Sequence, residues 1–194
     1  MIRTVIGGLV GGIILFVVGF IFWATPLGEL AYKNAPDQQG ANVQLSMAQN
    51  LTPTGTGAYV IPANNTAAGA ANYARGPIAI VHFNTSGFSP DDMAMILPGF
   101  ILALVSGLLM AFGLAAVGGG GRSFSSTATL VVLFSLGFTI WTYLAHPVFN
   151  HFGWGYWVYA FIAQTTALIL AGLVIARWFL PPARTAAEAP PMEG

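Results

Sequence analysis

From Met93 to Ala176 the chain runs 84 residues with one formal charge, Arg122, and that charge sits in a glycine-serine turn. A water-soluble fold needs charge spread over its surface to stay solvated, and this stretch cannot furnish it. Apolar runs of about 25 residues flank Arg122, and another occupies Thr4–Thr25. Each is at least as long as the roughly 20 residues a helix needs to cross about 30 Å of hydrocarbon. The chain therefore reads as an integral membrane protein.

Charged residues make up 6% of the chain, against about 25% in ordinary soluble domains. With a net charge of zero, no basic surface points to nucleic acid. Cysteine is absent, which removes disulfides, thiolate metal sites and thiol catalysis together. The start, Met1-Ile2-Arg3-Thr4, has the positive flank of a signal peptide. Its apolar run is longer than the roughly 7–15 residues of a signal core, and no A-x-A cleavage pattern precedes Pro26, so a retained span is expected.

Hydropathy predicts four spans, about Thr4–Thr25, Met93–Val117, Thr127–Ala145 and Trp154–Ala176. The run Gly118-Gly119-Gly120-Gly121-Arg122-Ser123 separates the second from the third. His146-Pro147-Val148-Phe149-Asn150-His151-Phe152-Gly153 separates the third from the fourth and reads as a tight turn, broken by proline and glycine. Four spans put both termini on one side. With the N-terminus inside, inner segments carry Arg3, Arg122, Arg177 and Arg184 and outer ones carry Lys33 and Arg75, as the positive-inside rule requires. Trp23, Trp141, Tyr143, Trp154, Tyr156, Trp157 and Tyr159 then fall near the outer interface, where amphipathic rings prefer to sit.

The expected organisation is a first transmembrane helix at residues 1–26, an extracytoplasmic α+β domain at 27–92, three transmembrane helices at 93–180 and a disordered cytoplasmic tail at 181–194. The fold class is thus an all-α four-helix membrane bundle carrying a small α+β outer domain. In that domain Gly40–Leu51 and Asn64–Arg75 read as short helices. Gly57–Pro62 and Pro77–Phe83 read as strands able to pair, the latter rich in β-branched and aromatic residues. Without disulfides or metal so small a domain has a marginal core, and it is expected to lean on the helix ends or on a partner. Ser89-Pro90-Asp91-Asp92 reads as a helix opening, with Ser89 the cap, Pro90 at the first position and two carboxylates at the positive end of the dipole. Three N-x-S/T sequons, at Asn50, Asn64 and Asn84, lie in a segment rich in Asn, Thr and Ser, where chance matches are common.

Inside the spans the chemistry is sparse. Gly7-Gly8-Leu9-Val10-Gly11-Gly12 holds two overlapping G-x-x-x-G patterns, and Ala163, Ala167 and Ala171 recur every four residues. Small residues at that spacing let helix backbones approach closely, either within one bundle or against a second protein. No Asp, Glu, Lys or Arg lies at hydrocarbon depth, whereas ion-coupled transporters keep such groups for function. Gln164 is the most polar intramembrane residue and is expected to bond between helices. His146 and His151 bracket the last turn and His82 lies on the second strand. They are weak candidates for a metal or haem, which wants three or four ligands with supporting partners. No cofactor is expected.

Four stretches, Gly7–Gly12, Pro26-Leu27-Gly28-Glu29, Gly57-Ala58-Tyr59-Val60-Ile61-Pro62 and Gly76-Pro77-Ile78-Ala79, are similar to a family of uncharacterised small bacterial inner-membrane proteins. That family has a Gly-Gly-rich first span, a Pro-Leu-Gly-Glu stretch, a Gly-x-Tyr-x-x-Pro strand and a Gly-Pro-led strand. The resemblance covers about half the chain. The histidine or tryptophan pair common before Pro-Leu-Gly-Glu is replaced here by Trp23-Ala24-Thr25. The resemblance implies a multi-pass protein of the bacterial inner membrane with N- and C-termini cytoplasmic, and it establishes no activity. Together these readings predict a non-enzymatic accessory or assembly subunit of a larger membrane complex. Its partners would be the lipid bilayer and other membrane subunits. The rival readings are a protein binding lipid or a small hydrophobic ligand near Trp154, Tyr156 and Trp157, and a histidine-ligated metal or haem redox protein.

Overall fold

A computed structural model of the chain describes residues 1–89, 92–118 and 122–180. In chain order the elements are helix α1 (Ile2–Trp23), helix α2 (Asp37–Leu51), strand β1 (Gly57–Ile61), helix α3 (Ala67–Arg75), strand β2 (Ala79–Phe83), helix α4 (Ile96–Gly118), helix α5 (Phe124–Thr139), helix α6 (Ala145–Asn150) and helix α7 (Trp154–Trp178). They form two compact units, one of Met1–Lys33 with Met93–Gly194, the other of Asn34–Asp92.

The first unit is helical. Four stretches are long and apolar enough to cross a membrane: Ile2–Trp23, Met93–Val117, Phe124–Asn150 and Trp154–Trp178. By length and composition this is a multi-pass membrane protein. α1 packs on α4 along one side and on α7 along the other, α7 packs on α5, and α4 and α5 barely meet. All three tight pairs run antiparallel. Gly8 faces Leu108 and Gly12 faces Leu104 between α1 and α4; Gly11 meets Ile175 between α1 and α7; Gly172 meets Val131 between α7 and α5. The packing runs α4–α1–α7–α5, with α4 also touching α7 and the side between α4 and α5 left open. Its core is made of small residues, with Ala111, Ala160, Ala163, Ala167 and Ala171 buried and Ile175 the largest fully buried side chain.

One span boundary differs from the hydropathy reading. The third span does not end near Ala145. It passes through a π-helical turn, Ile140–Leu144, into α6, and stops at His151, whose φ of 53° is left-handed. Pro147 explains the turn: a proline lacks the N–H of a regular helix, and its ring crowds the carbonyl four residues back. A wider turn just upstream accommodates both. The second span runs Met93–Val117, as hydropathy placed it, and opens through a 3-10 turn at Met93–Met95 before α4 begins at Ile96. The Asp92 amide bonds the Ser89 carbonyl at 3.0 Å, while the expected first position, Pro90, and the carboxylate of Asp91 lie outside the described residues, as does the whole 181–194 tail.

The second unit is small and thin. β1 and β2 pair antiparallel, from Gly57 opposite Phe83 to Ile61 opposite Ala79. They are joined through α3, whose cap is Thr66 accepting from the Gly69 amide. Tyr59 leans edge-on against Phe83 at 6.2 Å and donates its hydroxyl to the Gly55 carbonyl at 2.5 Å. Thr56 ties to Thr85 at 3.1 Å where the ladder ends. Tyr59, Tyr73, Ile78, Val81 and Phe83 are half-buried, and no described residue of this unit is fully buried.

Candidate functional site

The glycines of α1 serve two neighbours at once. Residues one apart on a helix point about 100° away from each other, so Gly8 and Gly12 form one face and Gly7 and Gly11 another. A methyl group added at Gly12 would stand 2.6 Å from Leu104 Cα and 2.7 Å from the Ala103 carbonyl oxygen of α4. At Gly8 it would stand 2.7 Å from Leu108 Cα. The other face meets α7: Gly7 lies against Phe179, just past the α7 end, and Gly11 against Ile175. On α4 the reciprocal residue is Gly107, where a methyl would run into the Gly8 carbonyl and the Gly12 amide. The sequence reading did not single out Gly107, although Ala103, Gly107 and Ala111 repeat at the same four-residue interval. Ala163, Ala167 and Ala171 are all buried, and Ala171 lies at ordinary contact distance from where a Gly11 methyl would be.

Polar groups inside the helical unit are few and satisfied. Thr139 of α5 and Thr165 of α7 share a hydrogen bond of 2.7 Å, and the Thr139 hydroxyl also donates to the Ser135 carbonyl at 2.6 Å. Both threonines are buried. Gln164 is half-exposed. The described bond between these helices belongs to its neighbour Thr165 instead. Among the described residues no buried side-chain nitrogen or oxygen lacks a partner.

Where α1 ends and α7 begins, aromatic rings collect. Tyr159 donates its hydroxyl to the Phe22 carbonyl at 2.5 Å, one of the carbonyls that the end of α1 leaves without an intrahelical donor. Trp23 packs edge-on to Tyr159 at 5.3 Å, and Tyr32 lies 5.5 Å from Tyr156. His146 stacks face to face on Trp157 at 4.0 Å, and Phe152 flanks that indole at 6.2 Å. Trp154, the first residue of α7, is exposed.

The histidines separate by role. His146 is a stacking partner, His151 is the left-handed residue that terminates α6, and His82 lies on β2 opposite Ala58 in the other unit. Among the described residues no three His, Asp or Glu side chains gather as a metal site would need.

The opposite end of the helical unit is basic. Arg3 donates to the Trp178 carbonyl at 3.1 Å, which ties the start of α1 to the end of α7. Arg177 lies 5.8 Å over the Phe124 ring, a cation–π contact. Arg122 donates through Nε to the Val117 carbonyl at 3.2 Å and through Nη1 to Ser126 Oγ at 3.4 Å.

Because α4 and α5 do not close on each other, a groove of about 410 Å³ opens between them, with Leu168 of α7 among its lining residues. Its lining is apolar apart from Ser135. A second hollow of about 590 Å³ runs along α5 from Leu130 to Trp141. Neither was visible in hydropathy. The only hint was the recurrence of Leu130, Phe134 and Phe138 on one side of α5.

No family, curated protein or solved structure compared with the chain matches it.

Proposed function

We propose that the protein is a non-enzymatic accessory or assembly subunit of a larger membrane complex, held by a partner through the Asn34–Asp92 unit. One observation carries this reading: none of that unit's described residues is fully buried, yet it exposes apolar side chains. Phe88 is 74% exposed, and Val43, Leu45, Val60 and Ile80 are also exposed. A segment of this size, with no cysteine to cross-link it, gains too little from burial to offset its ordering entropy. Contact with a second protein supplies the missing burial.

The helical unit supports the same reading from the other side. Its interior is consumed by glycine and alanine packing, with one satisfied threonine pair as its buried interhelical polar contact among the described residues. That interior offers a rigid platform and no chain of ionisable groups for moving protons or ions. The glycine faces of α1 already pack within the chain, so the docking surface of this proposal is the outer unit. The resemblance to small inner-membrane proteins and the arginines at one helical end agree with a bacterial inner membrane, cytoplasmic termini and an extracytoplasmic Asn34–Asp92 unit.

Extraction of native membranes in mild detergent tests the proposal. The chain should migrate with a stable partner at well above its own 20.3 kDa. Recovery as a lone chain with intact Asn34–Asp92 structure would contradict it.

A further inference from the structure

We propose that the groove between α4 and α5 seats one acyl chain of an anionic phospholipid, whose phosphate is drawn to Arg122. The proposal is independent of the accessory-subunit reading. The groove is bounded by Leu114 and Val117 of α4 and by Leu130, Phe134 and Phe138 of α5, with Leu168 of α7 also lining it. Apart from Ser135 the lining is apolar, which suits a hydrocarbon chain far better than a polar solute.

Length favours a lipid chain over a crossing helix. Leu130 to Phe138 spans about 12 Å of helix at 1.5 Å per residue. Half of a roughly 30 Å hydrocarbon core is about 15 Å. The groove therefore runs most of the depth of one leaflet, whereas a partner helix needs a track through both.

Charge then selects the lipid. Val117 lines the groove, and its carbonyl holds the Arg122 Nε–H, so the guanidinium is fixed at the groove's end. Its two described partners are neutral oxygens, Val117 O and Ser126 Oγ. A guanidinium has five donors in a fork that fits phosphate, so donors remain for a headgroup. Arg177, stacked on Phe124 two residues along the chain from Arg122, adds a second positive charge beside the start of α5. Basic groups at the ends of spans attract anionic lipid.

The test is native mass spectrometry of the full chain released from nanodiscs of equal palmitoyl-oleoyl phosphatidylglycerol and phosphatidylcholine. The wild type should retain about one phosphatidylglycerol, favoured about fivefold. Arg122→Gln should abolish the preference between the two lipids. Gly113→Phe should lower retention of both, because Gly113 lines the groove and a side chain there meets open space rather than a neighbour. Leu109→Phe, also exposed on α4 but away from the groove lining, should change nothing. Equal retention of the two lipids by the wild type would overturn the proposal. So would unchanged retention in Arg122→Gln and Gly113→Phe, or a co-purifying protein helix occupying the groove in place of lipid.

Discussion

Glycine at positions 8, 12 and 107 is a requirement of contact, not of backbone freedom, since all three sit in regular helix. Where a methyl group would lie 2.6 Å from Leu104 Cα, the helices must separate to admit it. Gly12→Ala is expected to destabilise the helical unit by about 1–3 kcal/mol, the usual cost of overpacking a tight interior. Gly19→Ala is its control: it lies on the same helix with nothing within 4 Å, and it should be neutral or slightly stabilising because alanine favours helix. Reversible unfolding of the two variants in detergent or bicelles measures the difference. His151 offers a test of a different kind. Its left-handed φ of 53° costs an L-residue about 1–2 kcal/mol, and glycine would relieve that while giving back part in unfolded-chain entropy. His151→Gly should thus be neutral or raise stability by up to about 1 kcal/mol in a thermal melt. A clear loss of stability would mean that the imidazole does something beyond ending α6.

The pairing of helices was less legible in the sequence than their existence. Spans announce themselves by uninterrupted hydropathy, and all four were found. Which face of a span meets protein was obscure, because lipid and protein interior select the same apolar side chains. Only small residues mark a close neighbour, and they did so at Gly7, Gly8, Gly11 and Gly12 and at Ala163, Ala167 and Ala171, all of which are buried. The third span was cut short at Ala145 because Pro147 suggested a break, whereas a π turn lets the helix continue to Asn150. The α5–α7 pair holds the buried interhelical hydrogen bond, Thr139 to Thr165. Such bonds in membranes contribute about 0.6 kcal/mol on average and at most about 1.7, and a stranded threonine can still bond a carbonyl one turn back. Thr139→Val and Thr165→Val should each cost less than about 1.5 kcal/mol. A double-mutant cycle should give a coupling of about 0.5–1 kcal/mol. A coupling near zero would show that the two hydroxyls stand side by side without supporting each other.

The whole chain combines two units built on different principles. The helical unit has an interior of alanine and glycine, closed on α1 and α7 and open between α4 and α5. The Asn34–Asp92 unit has paired strands and two helices, of which α3 is capped by Thr66, but no buried core among its described residues. The sequence pointed to this weakness through the unit's small size and missing cysteines, and strand and helix positions were read to within a few residues. Alternation in β1 and β2 gave no warning that neither face would be covered, since Tyr59, Val81 and Phe83 reach only half-burial. A segment in that state needs something to rest on, and this need is the basis for reading the protein as a subunit. The most direct test is in-cell photo-crosslinking from benzoyl-phenylalanine placed singly at Leu45 and Phe88, with Leu133 on the exposed side of α5 as the comparison. The account predicts one discrete protein adduct, the same partner from Leu45 and Phe88, and none from Leu133. Adducts from Leu133 alone, or no protein adduct from either outer position, would contradict it.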